Sequence, residues 1–132
     1  MIVVDSSAVV AIMRGEPEAR VFTQILDDTT DVLMSVVSLV ETNMVVVGRR
    51  LDADTRQISL LIDSLGIKIS EVTIEQAHLT VETFLRYGKG RHRASLNLAD
   101  CFCYALAKSR NVPLLYKGGD FAQTDIAAAW RP

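Results

Sequence analysis

Residues 96–126 read LNLADCFCYALAKSRNVPLLYKGGDFAQTDI, a helix, a strand and a turn in close succession. The helix is predicted over Asn97 to Arg110, and the apolar segment Val112 to Tyr116 predicts a short strand. The pair Gly118-Gly119 favours a turn, after which Phe121 begins a short helix. A short strand that directly follows a helix is typical of an α/β fold.

The segments nearer the start of the chain alternate in the same way. Short β-branched runs predict strands, and longer segments with apolar residues at helical spacing predict helices. The predicted strands are Ile2–Val4, Val32–Ser35 and Ile67–Ile69, and the predicted helices are Ser6–Arg14, Pro17–Leu26, Val36–Arg50, Asp52–Leu65 and Ile74–Tyr87. This order predicts an α/β fold with a parallel sheet of about four to five short strands flanked by helices. Residues 1–132 contain no repeat or linker and are expected to form a single domain.

The composition favours a globular protein, since 49% of the residues are hydrophobic and 23% are charged. A net charge of -2 excludes electrostatic capture of nucleic acid by the whole molecule, although not by a local basic patch. Cys101 and Cys103 point to different faces of a predicted helix and cannot form a disulfide with each other. This use of cysteine, the start MIVVDSS and the interrupted apolar run Val32–Val47 predict a cytoplasmic protein that does not enter a membrane.

Four carboxylates, those of Asp5, Glu41, Asp100 and Asp120, are predicted to converge on one cleft. In an open parallel sheet, ligands bind beyond the carboxyl ends of the strands. Asp5 and Asp120 each lie shortly after a predicted strand, and Asp100 lies in the first turn of a helix that begins at the same edge. Glu41 is roughly 9 Å along its helix from the preceding strand, near enough for its long side chain to reach back.

Each acid also has a purely structural interpretation. Asp5 and Asp120 precede helices and are able to cap them, and Asp100 would complement the positive end of its helix. Glu41 lies on an apolar helix face, where an unpaired charge would be costly. Its structural alternative is therefore a buried ion pair with an arginine.

A bound cation would offset the repulsion among four carboxylates in one cleft. Without a cation, some of them must be protonated. Ligands that are all oxygen suit Mg²⁺, with Mn²⁺ as the alternative. His78 and His92 are isolated, which argues against zinc, and no GxxxxGK[ST] loop is present for a nucleoside triphosphate. A metal held in this way can activate water for in-line attack on a phosphodiester. The four acids therefore predict a metal-dependent nuclease.

A basic loop is the candidate contact for nucleic acid. Lys89, Arg91 and Arg93 lie together in the segment Gly88–Arg93, and the pair Arg49-Arg50 ends a helix. Such groups more often form only a solvated surface. Beside an acidic metal site, however, both groups are predicted to bind phosphates that flank the scissile one.

These segments resemble the PIN-domain ribonucleases, specifically the VapC-type toxins of prokaryotic toxin–antitoxin pairs. The opening IVVDSSAVVAI is similar to the family's first strand and acid, and SVVSLVETNMVV is similar to the helix that bears its glutamate. Residues 96–126 are similar to its C-terminal block, which carries the third and fourth acids. The resemblance covers essentially the whole chain.

The resemblance implies a PIN-domain-like sheet and a Mg²⁺-dependent endoribonuclease that acts as a toxin. Asp5, Glu41, Asp100 and Asp120 would take the family's catalytic and metal-binding roles. Implied partners are an RNA substrate, a second copy of the chain, and a cognate VapB-like antitoxin whose C-terminal segment covers the acidic cleft.

Two further positions bear on the site through the resemblance. Ser7 matches a small polar residue commonly found near the metal, and it is expected to contribute to substrate binding. Gly119 stands where many relatives carry Asn or Asp, so the site is expected to contain one polar group fewer.

Two other functions remain alternatives. A receiver-type phosphoacceptor domain also has an α/β fold with an acidic Mg²⁺ site, and Lys117 just after a strand fits it. Such domains, however, carry adjacent acids after the first strand, where Asp5 stands alone. A non-catalytic binding module of the same fold is the other alternative, although a cluster of all four acids favours catalysis.

Overall fold

The computed structural model describes residues 1–50 and 53–132. Within them the strands are β1 (Ile2–Val4), β2 (Val32–Ser35), β3 (Ile67–Ser70) and β4 (Leu114–Leu115). The α-helices are α1 (Ser6–Met13), α2 (Ala19–Asp27), α3 (Val36–Gly48), α4 (Thr55–Ser64), α5 (Ile74–Tyr87) and α6 (Leu98–Arg110). A 3-10 turn follows at Phe121–Gln123. No helix in these ranges is both long and apolar enough to cross a bilayer.

The strands form one sheet in the order β3-β2-β1-β4, and every pairing is parallel. Val3 of β1 is paired with Leu33 of β2 on one side and with Leu114 of β4 on the other. All four carboxyl ends therefore lie at one edge of the sheet. The predicted α/β fold with a parallel sheet is confirmed, and the described residues supply four strands.

Each face of the sheet has its own hydrophobic core. Ile2 and Val4 point to a core formed with α1, α2, α3 and α4, whereas Val3 between them points to a core formed with α5 and α6. The same alternation places Leu115 in the first core and Leu114 in the second. Strands buried on both faces are apolar throughout, which is why β1 and β4 contain no polar residue.

Polar caps determine where the helices at the carboxyl edge begin. The Asp5 carboxylate accepts a hydrogen bond from the backbone of Ser7, and the Ser35 hydroxyl does the same for Val37. Each cap comes directly at the end of a strand, so α1 and α3 start at the edge of the sheet. Asn97 caps α6 in the same way through Asp100. The first turns of three helices are thus gathered at one place.

Two predicted helix starts are displaced. The helix α2 begins at Ala19 rather than at Pro17, because the segment after Gly15 first forms a turn. The helix α4 begins at Thr55 and is capped by Asp54, whose carboxylate accepts from the backbone of Gln57 at 2.9 Å. Asp52, the first residue of the predicted helix, lies outside the described residues.

The last strand is shorter than the predicted Val112 to Tyr116. Asn111 ends α6 with a left-handed backbone, at φ 53°. The backbone N–H of Val112 then donates to Ala107 within the helix at 3.1 Å, so it is not available to the sheet. Pro113 has no N–H to donate. The strand therefore begins only at Leu114.

Candidate active site

Three of the four predicted acids meet at the carboxyl edge of the sheet. One carboxylate oxygen from each of Asp5, Glu41 and Asp100 lies within 4.8 Å of the other two. Asp5 is placed there by the β1–α1 junction, Glu41 by the second turn of α3, and Asp100 by the first turn of α6. The convergence predicted from the strand order is present for these three residues, which we call the acidic triad.

Asp120 lies at the rim of the same cleft. The cleft has a volume of about 490 Å³, and Asp120 lines it together with the acidic triad. Its side chain is exposed and lies outside the compact group of three. It forms no capping hydrogen bond with the 3-10 turn that follows. The capping role considered for Asp120 is therefore not observed.

Asp5 caps a helix and also presents an unpaired oxygen. Its Oδ2 accepts hydrogen bonds from the backbone N–H of Ser7 at 3.0 Å and from the Ser7 hydroxyl at 2.6 Å. Its Oδ1 is buried and has no hydrogen-bond partner among the described residues. A buried carboxylate oxygen without a partner is costly to the fold. The capping role of Asp5 is therefore confirmed, while its second oxygen is left free to contact a ligand.

Glu41 is half-buried, and its neighbour is a hydroxyl rather than an arginine. The hydroxyl of Ser6 donates to Glu41 Oε1, and no ion pair joins Glu41 to another described residue. Burial is the main cause that raises the pKa of the Glu41 carboxyl, and the nearby Asp5 raises it further. The hydrogen bond from Ser6 acts in the opposite direction. The predicted alternative of a buried ion pair is not formed.

Asp100 completes a reciprocal cap at the start of α6. Its carboxylate accepts from the backbone N–H of Asn97 at 3.0 Å, while its own N–H donates to the Asn97 side chain at 2.9 Å. Burial nevertheless raises the pKa of Asp100 to about 7, and repulsion from Asp5, Glu41 and Asp120 adds to it. The hydrogen bond from Asn97 therefore favours the charged carboxylate, whereas burial and the neighbouring acids favour its protonated form.

The chemistry of the acidic triad fits a hard divalent cation. All three side chains offer oxygen, which Mg²⁺ and Mn²⁺ prefer. Glu41 and Asp100 resist ionisation in the protein alone, and Asp5 holds a buried oxygen without a hydrogen-bond partner among the described residues. A cation among them would neutralise the repulsion and supply the missing partner.

Ser7 lines the cleft as expected, but its hydroxyl also has a structural role. The Oγ atom that donates to Asp5 accepts a hydrogen bond from the backbone N–H of Lys117 at 3.0 Å. It thereby joins the start of α1 to the segment after β4, which carries Asp120. Whether Ser7 also contacts substrate, as the resemblance implies, stays a prediction.

Lys117 is occupied by carboxylates outside the acidic triad. Its ammonium group contacts Glu16 and lies 2.9 Å from Glu18, and these hydrogen bonds raise the pKa of the lysine. A receiver-type site would need this lysine near the phosphoacceptor acid. The observed pairing gives that alternative no support.

The predicted basic loop does not line the cleft. Lys89, Arg91 and Arg93 are all exposed and are absent from its walls. The Nε of Arg91 donates to the Leu85 carbonyl at 3.2 Å, and its guanidinium lies 5.9 Å from the ring centre of Phe84. A contact between this loop and RNA therefore stays a prediction.

Two arginines line the cleft: Arg49, which the sequence offered as a phosphate contact, and Arg14, which it did not. Arg14 directly follows α1 and lies 3.4 Å from Glu16, and Arg49 directly follows α3. No ion pair links Arg49 to any other described residue. Helical spacing in the sequence indicates that both arginines lie near the site. Arg14 is seven residues after Ser7 and Arg49 is eight after Glu41, which places each pair on one helix face.

Comparison with known proteins agrees with this fold. A family model of the PIN domain matches residues 2–127. Ribonuclease VapC30 of Mycobacterium tuberculosis is 40% identical over 130 residues, covering 98% of this chain and 99% of its own. A ribonuclease VapC of Mycolicibacterium smegmatis is 41% identical over 126 residues, covering 96% and 98%. The chain belongs to the VapC group of the PIN-domain family.

Solved structures show the same fold at low sequence identity. VapC20 of Mycobacterium tuberculosis, described as a toxin that cleaves the sarcin–ricin loop, has a TM-score of 0.77 at 18% identity with all of both chains covered. A chain from a Klebsiella pneumoniae toxin–antitoxin complex has a TM-score of 0.70 at 19% identity, covering 95% of this chain and 93% of its own.

Proposed function

We propose that this protein is a Mg²⁺-dependent endoribonuclease that hydrolyses RNA phosphodiesters in the cytoplasm, as the toxin of a toxin–antitoxin pair. The observation that carries the proposal is the acidic triad with the partnerless Oδ1 of Asp5. Support also comes from relatives at about 40% identity that are named as ribonucleases.

Asp5, Glu41 and Asp100 would hold the cation, and Asp120 would act from the rim of the cleft. When bound, Mg²⁺ or Mn²⁺ supplies a water of lowered pKa and neutralises charge on the phosphate. Ser6 and Asn97 keep the carboxylates of Glu41 and Asp100 in place through their hydrogen bonds.

Arginines would bring the RNA backbone to this negatively charged cleft. Arg49 has no carboxylate partner among the described residues and lies on the wall, so its guanidinium is available to a phosphate. Arg14 shares Glu16 with Lys117 and is therefore partly neutralised. We expect Arg49 to contribute more to RNA affinity than Arg14.

The cognate antitoxin would use the same acids. An uncompensated acidic cleft suits an arginine fork, so a VapB-like partner is expected to insert Arg or Lys among Asp5, Glu41, Asp100 and Asp120 in place of the metal. A structure of the complex tests this. An inhibitory segment that stays away from all four acids would contradict it.

A second copy of the chain would pack on the outer face of α3. Val36, Val40, Met44 and Val47 are exposed at helical spacing, and Leu98 extends the apolar surface. Met44→Asp should therefore convert a dimer to a monomer in analytical ultracentrifugation. Leu60→Asp is the control, because Leu60 is an exposed leucine on α4. An unchanged dimer in Met44→Asp would refute this face.

The test of the activity is a metal titration with purified protein and single-stranded RNA. Cleavage should be absent in EDTA, should appear with Mg²⁺ or Mn²⁺, and should return when the chelated protein is resupplied with metal. Mapping the ends of the fragments identifies the cleaved bonds. Full cleavage in chelator, or none with either metal, would refute the proposal.

A further inference from the structure

A second cavity, of about 620 Å³, lies beside the acidic cleft. It is enclosed by the segment that follows β4 and by the end of the chain. Its walls are mainly apolar and include Tyr116, Ala122, Ile126 and Trp130. None of the four acids lines it, so the proposed hydrolysis does not account for it.

The cavity adjoins the cleft. Lys117 lines both, and its ammonium group is paired with Glu16 on the cleft side and with Glu18 on the cavity side. Two consecutive residues also line the two spaces: Gly119 lines the cavity, and Asp120 lines the cleft. A neighbouring unit of a chain bound in the acidic cleft is therefore the candidate occupant of the cavity.

The walls suit a planar, uncharged group better than a phosphate. The Trp130 ring is fixed by an edge-to-face contact with Phe22, at 5.2 Å between ring centres. Lys117, a cation that could attract a phosphate, is already paired with two carboxylates, and the Glu18 carboxylate would repel an anion. Trp130, Tyr116 and the Arg131 side chain offer the aromatic and guanidinium surfaces on which bases stack.

We propose that this cavity binds one unpaired nucleobase of the substrate, next to the scissile phosphate. A base can enter it only if it is free of pairing and stacking, so the substrate class is single-stranded RNA or an unpaired loop. The inference rests on the proposed ribonuclease activity for the identity of the ligand. Occupancy of the cavity, however, is measurable without any cleavage.

Trp130 is the single tryptophan of the chain, and its fluorescence therefore reports on the cavity. The protein used is the Asp100→Asn variant in EDTA, so that RNA is not cut and one repelling charge is removed. The probes are the four homopolymeric oligoribonucleotides and an abasic strand of the same length. At least one homopolymer should quench the fluorescence saturably, and the abasic strand should not.

A matched pair of variants assigns the quenching to the cavity. Ala122 is exposed and lines the cavity, whereas its exposed neighbour Gln123 does not. Ala122→Phe should abolish the quenching and Gln123→Phe should preserve it, with both variants retaining the melting temperature of the parent. Equal quenching by the abasic strand, equal quenching in both variants, or no quenching would overturn the proposal.

A cleavage assay separates this inference from the proposed activity. With Mg²⁺ and wild-type protein, an abasic position is moved through the nucleotides that flank the cut. Removal of one particular base should slow cleavage roughly tenfold or more, as expected for one stacked base. In Ala122→Phe that same removal should have no further effect. No cleavage of any RNA refutes the activity, whereas cleavage that no abasic position slows refutes the base-binding cavity.

Discussion

The acidic cleft and the basic loop at residues 88–93 carry opposite charges in very different surroundings. In the cleft, Glu41 and Asp100 are partly desolvated and repel Asp5. In the loop, Lys89 and Arg93 are exposed. Arg91 contacts the Leu85 carbonyl and the Phe84 ring at the end of α5. Charges that are desolvated and crowded interact strongly, whereas exposed charges are screened by water and salt. The two regions should therefore respond to mutation on different scales.

The largest effect is expected from removing a charge of the acidic triad. Asp5→Asn and Asp100→Asn should each lower the cleavage rate at saturating RNA by about 100-fold or more, because a bound metal supplies several kcal/mol to the transition state. Initial rates with Mg²⁺ measure this. Asp63→Asn is the control, since Asp63 is exposed on α4 away from the cleft. Full activity in both triad variants would show that cleavage does not depend on these two carboxylates.

A smaller effect is expected at the rim. Asp120 is exposed and lies outside the compact group of three, so its charge is better solvated. Asp120→Asn should lower the rate by roughly tenfold, less than either triad variant, since a contact to the metal would be made only through water. Initial rates of RNA cleavage with Mg²⁺ test this prediction. A loss equal to that of Asp100→Asn would make Asp120 a full member of the ligand set.

A shift of a few degrees is expected in thermal melts of the metal-free protein. The pKa of Asp100 is raised from 3.8 to about 7 in the folded state, so the stability that its protonated form contributes is present below pH 4 and is lost as the pH rises to about 7. In EDTA at pH 8, Asp100→Asn should therefore melt higher than wild type. Near pH 4 the difference should vanish.

The helix cap predicts the opposite sign for the same variant. If the charge of Asp100 served only the positive end of α6, its loss would cost up to about 1 kcal/mol and lower the melting temperature. Mg²⁺ should also raise the melting temperature of wild type more than that of Asp100→Asn, because stabilisation by a ligand follows its affinity. A variant that melts lower than wild type in EDTA at pH 8 would exclude repulsion as the dominant effect.

The smallest effect is expected from the basic loop. Replacing Lys89, Arg91 and Arg93 together by Ala should weaken RNA binding only at low salt and should flatten its dependence on salt concentration. Fluorescence anisotropy with labelled RNA measures the slope. Arg49→Ala is the comparison, because Arg49 lines the cleft. An unchanged slope in the triple variant would show that the loop is only solvated surface.

Much of the fold was predictable because its signals are local. The helix α5 has the predicted bounds, since Thr73 caps its start and Gly88 follows its last residue, Tyr87. The strands β1 and β2 also have their predicted bounds, because each short apolar run ends at a polar residue that caps the next helix. The last strand was overestimated, because the turn at Asn111 uses the N–H of Val112 in a helix cap.

The sequence by itself determined which acids belong together. A parallel sheet has all its carboxyl ends at one edge, so residues that follow strands or begin crossover helices must meet there, whatever the detailed packing. Asp5, Glu41 and Asp100 could be grouped on that basis. The resemblance to the family rested on the same residues.

Only the tertiary structure decided what each charge contacts. The orphaned oxygen of Asp5, the raised pKa of Asp100 and the pairing of Lys117 with Glu16 and Glu18 depend on distances between segments far apart in the chain. The cavity at Trp130 likewise arises from packing of the chain end against Phe22. Desolvation and Coulomb energies vary steeply with such distances, whereas helical and strand periodicity depends only on neighbours in sequence.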